Sequence, residues 1–344
     1  MRAVLNEEQE MLRTTAEGLA KRYAVRNPSD LLKIDRGACW KAIVETGLLG
    51  LRIRQDGAPV TSCVEVMLVA EALAGALTPA PYIGTTLAQE LLVLGGMSSE
   101  ASSIADGAGR YTILLSDDLK DLGRTRSLNG SIAADAEGAR YALGLSETNG
   151  QTRLFRVDLA QSFIPLTTPD FSRVWKKPEG KPAIDVVGDP LPPEALDRWC
   201  ALALTLVCAD IVGVLRSGLQ QVVEYSKTRI QYGVPVGSFQ AVQHMCAAVL
   251  VKVEAASSMT RYAAWTVDEL SPAQSLLAAH TAKAHCAGMA RTVAETIMQA
   301  FGGIGQTWEH IAPLMNRRAM LDSYLFGDEA HQLLQISDIR LGAA

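Results

Sequence analysis

Few residues of this 344-residue chain combine a reactive type with a suggestive position. Asp210 is the one carboxylate in the apolar stretch Ala201 to Leu215. A carboxylate can serve as a base, but one inside an apolar helix is costly unless paired, so a structural hydrogen bond or ion pair is the weightier expectation. Arg229 closes a helical pattern just ahead of Tyr232-Gly233, and Gln299 leads into Gly302-Gly303. The chemistry open to these residues is ligand binding: a guanidinium forks onto phosphate oxygens, and glycine admits a close backbone approach. Singly, each has an ordinary explanation, since a basic residue suits a helix C-terminus and glycine stops a helix.

Six cysteines (Cys39, Cys63, Cys200, Cys208, Cys246, Cys286) show no C-x-x-C spacing, and the five histidines do not pair with them at metal-ligand spacing. Buried free thiols in a reducing compartment, and no metal site, are expected. A formal net charge of −5 with scattered Lys and Arg gives no nucleic-acid footprint. The opening Met1-Arg2-Ala3-Val4-Leu5-Asn6-Glu7-Glu8 turns acidic at once, which argues against a secretory signal and for the cytoplasm. No apolar run reaches the roughly 18–20 residues that span a bilayer, the richest being the one that Asp210 interrupts.

Three zones must position these residues. Residues 1–108 read as a helical domain. Met11, Leu12, Ala16, Leu19 and Ala20 form a stripe at helical spacing within Glu8 to Tyr23, and Trp40 to Leu51 and Val64 to Leu77 repeat the pattern. Thr61-Ser62 can cap the third of these helices, Thr78-Pro79-Ala80-Pro81 stops it, and Thr85 to Leu94 reads as a further helix. In residues 109–193 short runs at Tyr111 to Leu115, Tyr141 to Leu145 and Arg153 to Val157 are punctuated by Asn129-Gly130 and Asn149-Gly150, both tight-turn dipeptides. This zone is a small β domain. Residues 194–344 return to helices: Leu196 to Gln231, Ala241 to Leu270 and Pro272 to Phe301 have lengths that suit an antiparallel bundle.

The C-terminal zone carries specific motifs. Arg229-Ile230-Gln231-Tyr232-Gly233, continuing through Phe239-Gln240 to His244, resembles the acyl-CoA dehydrogenase pattern R-x-x-F-G-x-x-I-x-x-F-Q-x-x-x-H, with Tyr for Phe. Gln299-Ala300-Phe301-Gly302-Gly303-Ile304-Gly305 resembles that family's Q-x-x-G-G-x-G, and Arg317-Arg318-Ala319 followed by Leu325-Phe326-Gly327-Asp328 resembles an ending found in one of its subfamilies. Trp40 to Leu51 looks like the family's opening helices. The resemblance implies an α+β multidomain fold: an N-terminal helical domain, a central small β-barrel or sandwich and a C-terminal four-helix bundle. It also implies FAD as cofactor. In this family the motif residues touch the flavin of the neighbouring subunit. Carried over by position, Arg229, Tyr232 and Gln240 would contact the neighbour's flavin, and Gln299, Gly302 and Gly303 would lie near its pyrophosphate and adenosine end.

What the family chemistry needs is missing. Removing the proton α to a thioester carbonyl requires a positioned carboxylate, which contributes about 10²–10⁴-fold to rate. The family's usual glutamate position falls on Phe326 and its alternative position on Ala203. Asp210 lies seven residues beyond Ala203 on the same helix face, roughly 10 Å along the axis, and Glu329 reads as a helix-start acid. The β domain lacks the family's flavin-cradling residues: Leu128-Asn129-Gly130-Ser131 fits its L-N-G-x start, but Ile132-Ala133-Ala134-Asp135 follows where Lys and then Trp-Ile-Thr belong, and Ser116-Asp117-Asp118 replaces a Gly-Ser end.

The resemblance therefore implies no catalytic residue in this chain. It implies the shorter subunit of an α2β2 heterotetramer in which a homologous larger subunit supplies base and flavin cradle. The substrate would be a bulky, steroid-type acyl-CoA, and electron-transfer flavoprotein the electron acceptor. Two rivals stand beside it: a self-sufficient homomeric acyl-CoA dehydrogenase or related flavin oxidase using Asp210, and a non-catalytic scaffold. The loop Arg54-Gln55-Asp56-Gly57 hints at a wide substrate mouth.

Overall fold

The computed structural model describes residues 4–55 and 57–342. Asp56 in the loop named above, and Met1-Arg2-Ala3 of the opening segment, lie outside them. Helix α1 (Glu7–Arg22) starts at a capping box made by Asn6 and Gln9, which satisfies backbone donors that a helix start leaves open. Its inward stripe is Ala16, Leu19 and Ala20; Met11, expected on that stripe, is exposed. Helix α2 (Arg36–Glu45) begins four residues ahead of Trp40 because the Asp35 side chain accepts from Ala38 N. A two-stranded hairpin, β1 (Arg54–Gln55) and β2 (Ala58–Pro59), precedes α3 (Cys63–Gly75), which Ser62 caps as expected. Helices α4 (Tyr82–Leu94) and α5 (Ser98–Ala105) complete the zone.

The β zone is one seven-stranded mixed sheet of β3 (Tyr111–Leu115), β4 (Ile132–Ala134), β5 (Tyr141–Thr148), β6 (Gln151–Asp158), β7 (Phe163–Leu166), β8 (Trp175–Pro178) and β9 (Asp185–Val187), in the order β7-β8-β4-β3-β5-β6-β9. Side chains alternate across a strand, so Ile113 and Leu115 join the main core while Leu114 joins a second core with Leu128, Ala133, Phe155 and Val157. Asn149-Gly150, both at positive φ, turn β5 into β6 with Thr148 opposite Gln151. Asn129-Gly130 instead ends a short 3₁₀ turn over Thr125–Gly130.

Helix α6 (Pro193–Thr228) is the axis of the molecule. It contains the one stretch among the described residues long and apolar enough to cross a membrane, contrary to the reading that no run qualified, and 83% of that stretch is buried inside the protein. α6 packs so closely on α3 that a Cβ on Gly213 would collide with the Glu71 carbonyl oxygen. A hairpin of β10 (Ile230–Gln231) and β11 (Val234–Pro235) leads to α7 (Gln240–Glu269), α8 (Pro272–Phe301), α9 (Ala312–Tyr324) and α10 (Glu329–Leu341). One continuous apolar core runs from α1 to α9 through the sheet.

A closed junction and an open edge

Phe326, at the family's usual base position, sits in the turn between α9 and α10 with φ +57, and Gly327 follows at φ +92. A non-glycine residue holds a positive φ only when its surroundings over-determine it, and here they do. Phe326 N donates to Leu119 O at 2.6 Å. The Lys283 ammonium donates to Ser323 O and Gly327 O, both at 2.9 Å. Gln332 Nε2 donates to Phe326 O and Gly327 O. Burial pulls Lys283 down to about 8 against the nearby Cys208 and Cys286 thiols. The phenyl ring packs edge-on against Trp199, centroids 5.9 Å apart, a contact worth about 0.5–1.5 kcal/mol beyond buried area. Ala203, the alternative base position, is wholly inaccessible.

Asp210 is equally enclosed. Arg318 of α9 binds it in a fork, Nε to Oδ1 and Nη2 to Oδ2 both at 2.7 Å. Arg318 Nη1 also donates to Ser172 Oγ at 3.0 Å. Ser172 donates through N and Oγ to Asp170 Oδ1. Arg173 bridges Asp170 and Asp322, and Asp135 accepts from Gly84 N at 3.2 Å. The helical N-terminal zone, the sheet and the bundle are thus tied by four carboxyls and two guanidiniums, all buried.

Burial would raise Asp210, but the Arg318 charge and hydrogen bonds outweigh it and hold the carboxylate at about 2. Burial dominates at Asp135, pushing it up to about 6 against the Arg173 charge. Burial, reinforced by the Asp210 charge, pushes Asp322 well above the ordinary carboxylate range. Four carboxyls thus share two guanidiniums, with burial working against the charged form at Asp135 and Asp322. Asp210, buried with each oxygen accepting from Arg318, stands in an ion pair inside the core, surroundings that favour the structural role over the homomeric reading that made it the base. The sequence signals for this network were Asp170-Phe171-Ser172-Arg173, in the loop between β7 and β8, and the doubled Arg317-Arg318 within α9.

The motif residues lie elsewhere. α6 and α8 end side by side, with the Tyr225 and Phe301 rings 5.4 Å apart. Arg229 follows α6, its backbone tied to Tyr225 O and by Val236 N, its side chain exposed and without a carboxylate partner among the described residues. Tyr232, 93% exposed, forms the hairpin turn with Gly233, both at positive φ, and its ring meets Phe239 edge-on at 6.2 Å. Gln240 opens α7, and Gln299 closes the last turn of α8; both are exposed.

The two glycines beyond Gln299 differ. Gly302 has φ +69 and ψ −148, a conformation open essentially to glycine alone. Gly303 has no such angle, and a Cβ there would meet nothing within 4 Å. Nothing among the described residues requires glycine at 303, and the bare backbone there leaves open space beside it.

Tested against FAD, the two regions give opposite answers. At the junction neither base position carries a carboxylate, the cavity of about 320 Å³ beside Phe326 being lined also by Trp199, Cys200 and His280, and where a tryptophan wall is expected β4 offers Ala133 and Ala134, both buried. The open edge, with Arg229, Gln299 and the bare backbone at Gly303, fits a dinucleotide approaching from outside.

Residues 204–340 match the family described as acyl-CoA dehydrogenase, C-terminal domain. Acyl-CoA dehydrogenase FadE34 of Mycobacterium tuberculosis is 30% identical over 319 residues, covering 89% of this chain but 43% of that protein. This chain therefore spans less than half the length of that relative. Acyl-CoA dehydrogenase IpdE2 of the same organism is 29% identical over 324 residues, 91% of each chain. The solved ChsE4-ChsE5 complex from Mycobacterium tuberculosis shares the fold, with TM-score 0.83 at 22% identity over 100% of each chain. By these matches residues 204–340 form an acyl-CoA dehydrogenase C-terminal domain, and the chain as a whole is similar to acyl-CoA dehydrogenases, a family of FAD-dependent flavoproteins.

Proposed function

We propose that this chain is the shorter, base-less subunit of a cytoplasmic heteromeric acyl-CoA dehydrogenase, α2β2 with a homologous larger partner. The observation that carries the reading is the contrast just described. Both glutamate positions, Phe326 and Ala203, carry side chains that take no proton, and the remaining carboxylate Asp210 is buried in an ion pair. The six motif residues are all exposed at one end of the bundle. A subunit that needed its own base would keep a carboxylate at one of those positions, whereas one that completes a neighbour's cofactor site needs only its edge.

FAD, when bound, accepts the hydride from the thioester's β carbon. Arg229 supplies a planar set of donors for the diphosphate, Gln240 and Gln299 supply amide donors and acceptors, and Gly302-Gly303 lets the cofactor lie against backbone. Tyr232 and Phe239 shield that contact from water. The partner supplies the base and the flavin cradle, a bulky, steroid-type acyl-CoA is the substrate, and electron-transfer flavoprotein takes the electrons.

The test is flavin quantification after purification alone and with the partner chain. The chain alone should hold no stoichiometric FAD and oxidise no acyl-CoA, and the complex should do both. Arg229→Ala in the complex should raise the FAD dissociation constant about tenfold or more, a charged hydrogen bond being worth about 1.5–3 kcal/mol. A yellow, active chain without partner overturns the heteromer; unchanged flavin affinity in Arg229→Ala leaves only a scaffold.

A further inference from the structure

Away from both regions, a groove of about 450 Å³ lies between α1, α3 and α6, within the roughly 300–1,000 Å³ typical of small-molecule sites. α1 and α3 run side by side in the same direction. Gln9 Nε2 donates to Glu65 Oε1 at 2.8 Å near their starts, and Val25 N donates to Ala76 O at 3.0 Å just past their ends. The floor is apolar and mostly small: Ala20, Ala24, Ala72 and Ala76, with Leu68 and Val25. It stays low because α3 and α6 meet there through glycines, a Cβ on Gly75 falling 3.2 Å from the Gly213 carbonyl oxygen.

The two ends of the groove differ in charge. Toward the helix starts the ions are spent on one another: Arg216 pairs with Glu71 and Glu254, and Arg13 with Glu10 and Glu17. At the other end stand Lys21 and Arg26, both exposed, and no carboxylate among the described residues pairs with either. Asp30 accepts from the Arg26 and Asn27 backbone N–H groups and does not line the groove. Gln220 and Gln221 of α6 supply the opposite wall.

A cation beside a helix C-terminus is ordinary, and α1 and α3 both end here. Each helix end carries about half a negative charge, so two cations exceed two helix ends by about one positive charge. The groove thus combines an apolar floor, one unanswered positive charge and amide donors. A compact hydrocarbon body bearing a single carboxylate answers all three.

We infer that this groove is a binding site for a small amphipathic carboxylate, its hydrocarbon on the alanine floor and its carboxylate between Lys21 and Arg26. The site shares no residue with the cofactor edge and does not rest on the heteromeric reading.

The experiment is calorimetric titration of the purified chain with hexanoate. Hexanoate should bind one per chain, and each methylene removed from it should weaken binding about threefold. Hexanamide, which lacks the charge, should bind about tenfold more weakly. Lys21→Gln and Arg26→Gln should each weaken hexanoate about three- to tenfold, and added salt should weaken the wild-type complex. Ala72→Leu, or Ala24→Leu from the other helix, fills the floor and should abolish binding with both cations in place. The unfolding midpoint of each variant should match wild type, which separates binding from folding. Absence of saturable hexanoate binding overturns the inference. So does equal affinity for hexanamide, or unchanged affinity in the Lys21→Gln/Arg26→Gln double variant, since the carboxylate seat is then wrong. If acetate binds as tightly as hexanoate, the floor is unused, the cations hold only loose counterions, and the site falls.

Discussion

The junction around Asp210 and the edge around Gly302 belong to the same bundle and are treated oppositely by the fold. At the junction every charged group meets a partner, and the turn at Phe326 is fixed by Lys283, Gln332 and Leu119. At the edge an arginine, two glutamines, a tyrosine and a bare glycine face outward with little to satisfy them within the chain. Removing one partner from a buried ion pair leaves an uncompensated charge, so the junction acts on stability. Truncating an exposed donor costs the isolated chain little, so the edge acts on binding.

That division can be broken or sharpened by experiment, starting where the effect is largest. Arg318→Met strands Asp210 in the core and should cost about 3–5 kcal/mol in urea unfolding; a loss below about 1 kcal/mol would mean water reaches Asp210. Phe326→Glu restores a carboxylate at the family position but buries it against Trp199. It should cost about 3 kcal/mol or more and yield no acyl-CoA-dependent dye reduction by the chain alone.

The pH dependence should be next. Asp135 is raised to about 6 from an unfolded value of 3.8. The folded state therefore holds this proton more tightly, and the stabilisation is full below pH 3.8 and lost as pH rises through 6. By linkage that is on the order of 2–3 kcal/mol, and Asp135→Asn should flatten the unfolding free energy between pH 4 and 7. Asp210 works the other way: its contribution is present above pH 3.8 and lost as pH falls through about 2.

The smallest effects distinguish the two glycines. Gly302→Ala should destabilise the isolated chain by about 1–3 kcal/mol through its φ. Gly303→Ala should leave thermal unfolding within about 0.5 kcal/mol of wild type and weaken only FAD binding in the complex.

Much of this was legible along the chain. The period of the apolar residues located α3, α4, α7 and α8 and the strands at Tyr111, Tyr141 and Arg153, because helix and strand repeats are written in local sequence. Exact starts followed from caps, and the cap at Asp35 was passed over because Trp40 gave the stronger hydrophobic signal. Met11 was misplaced because a stripe wide enough for a helix face does not say how far the neighbouring elements extend over it. Ala203 and Phe326 could be counted to from the motifs, and neither residue type can take a proton.

The sequence by itself determined the chemistry that is absent and the motifs that remain, since side-chain identity and short-range spacing need no fold. Only the tertiary structure decided what becomes of Asp210. Its partner Arg318 lies 108 residues away, as Arg173 and Asp322 are brought together across 149, and ion pairs at that separation are set by how three packed zones meet. The same holds for the groove that Lys21 and Gln221 line from opposite walls, which exists only because α1, α3 and α6 pack together. Local sequence carries no record of such meetings, whereas burial and charge balance in the folded chain do.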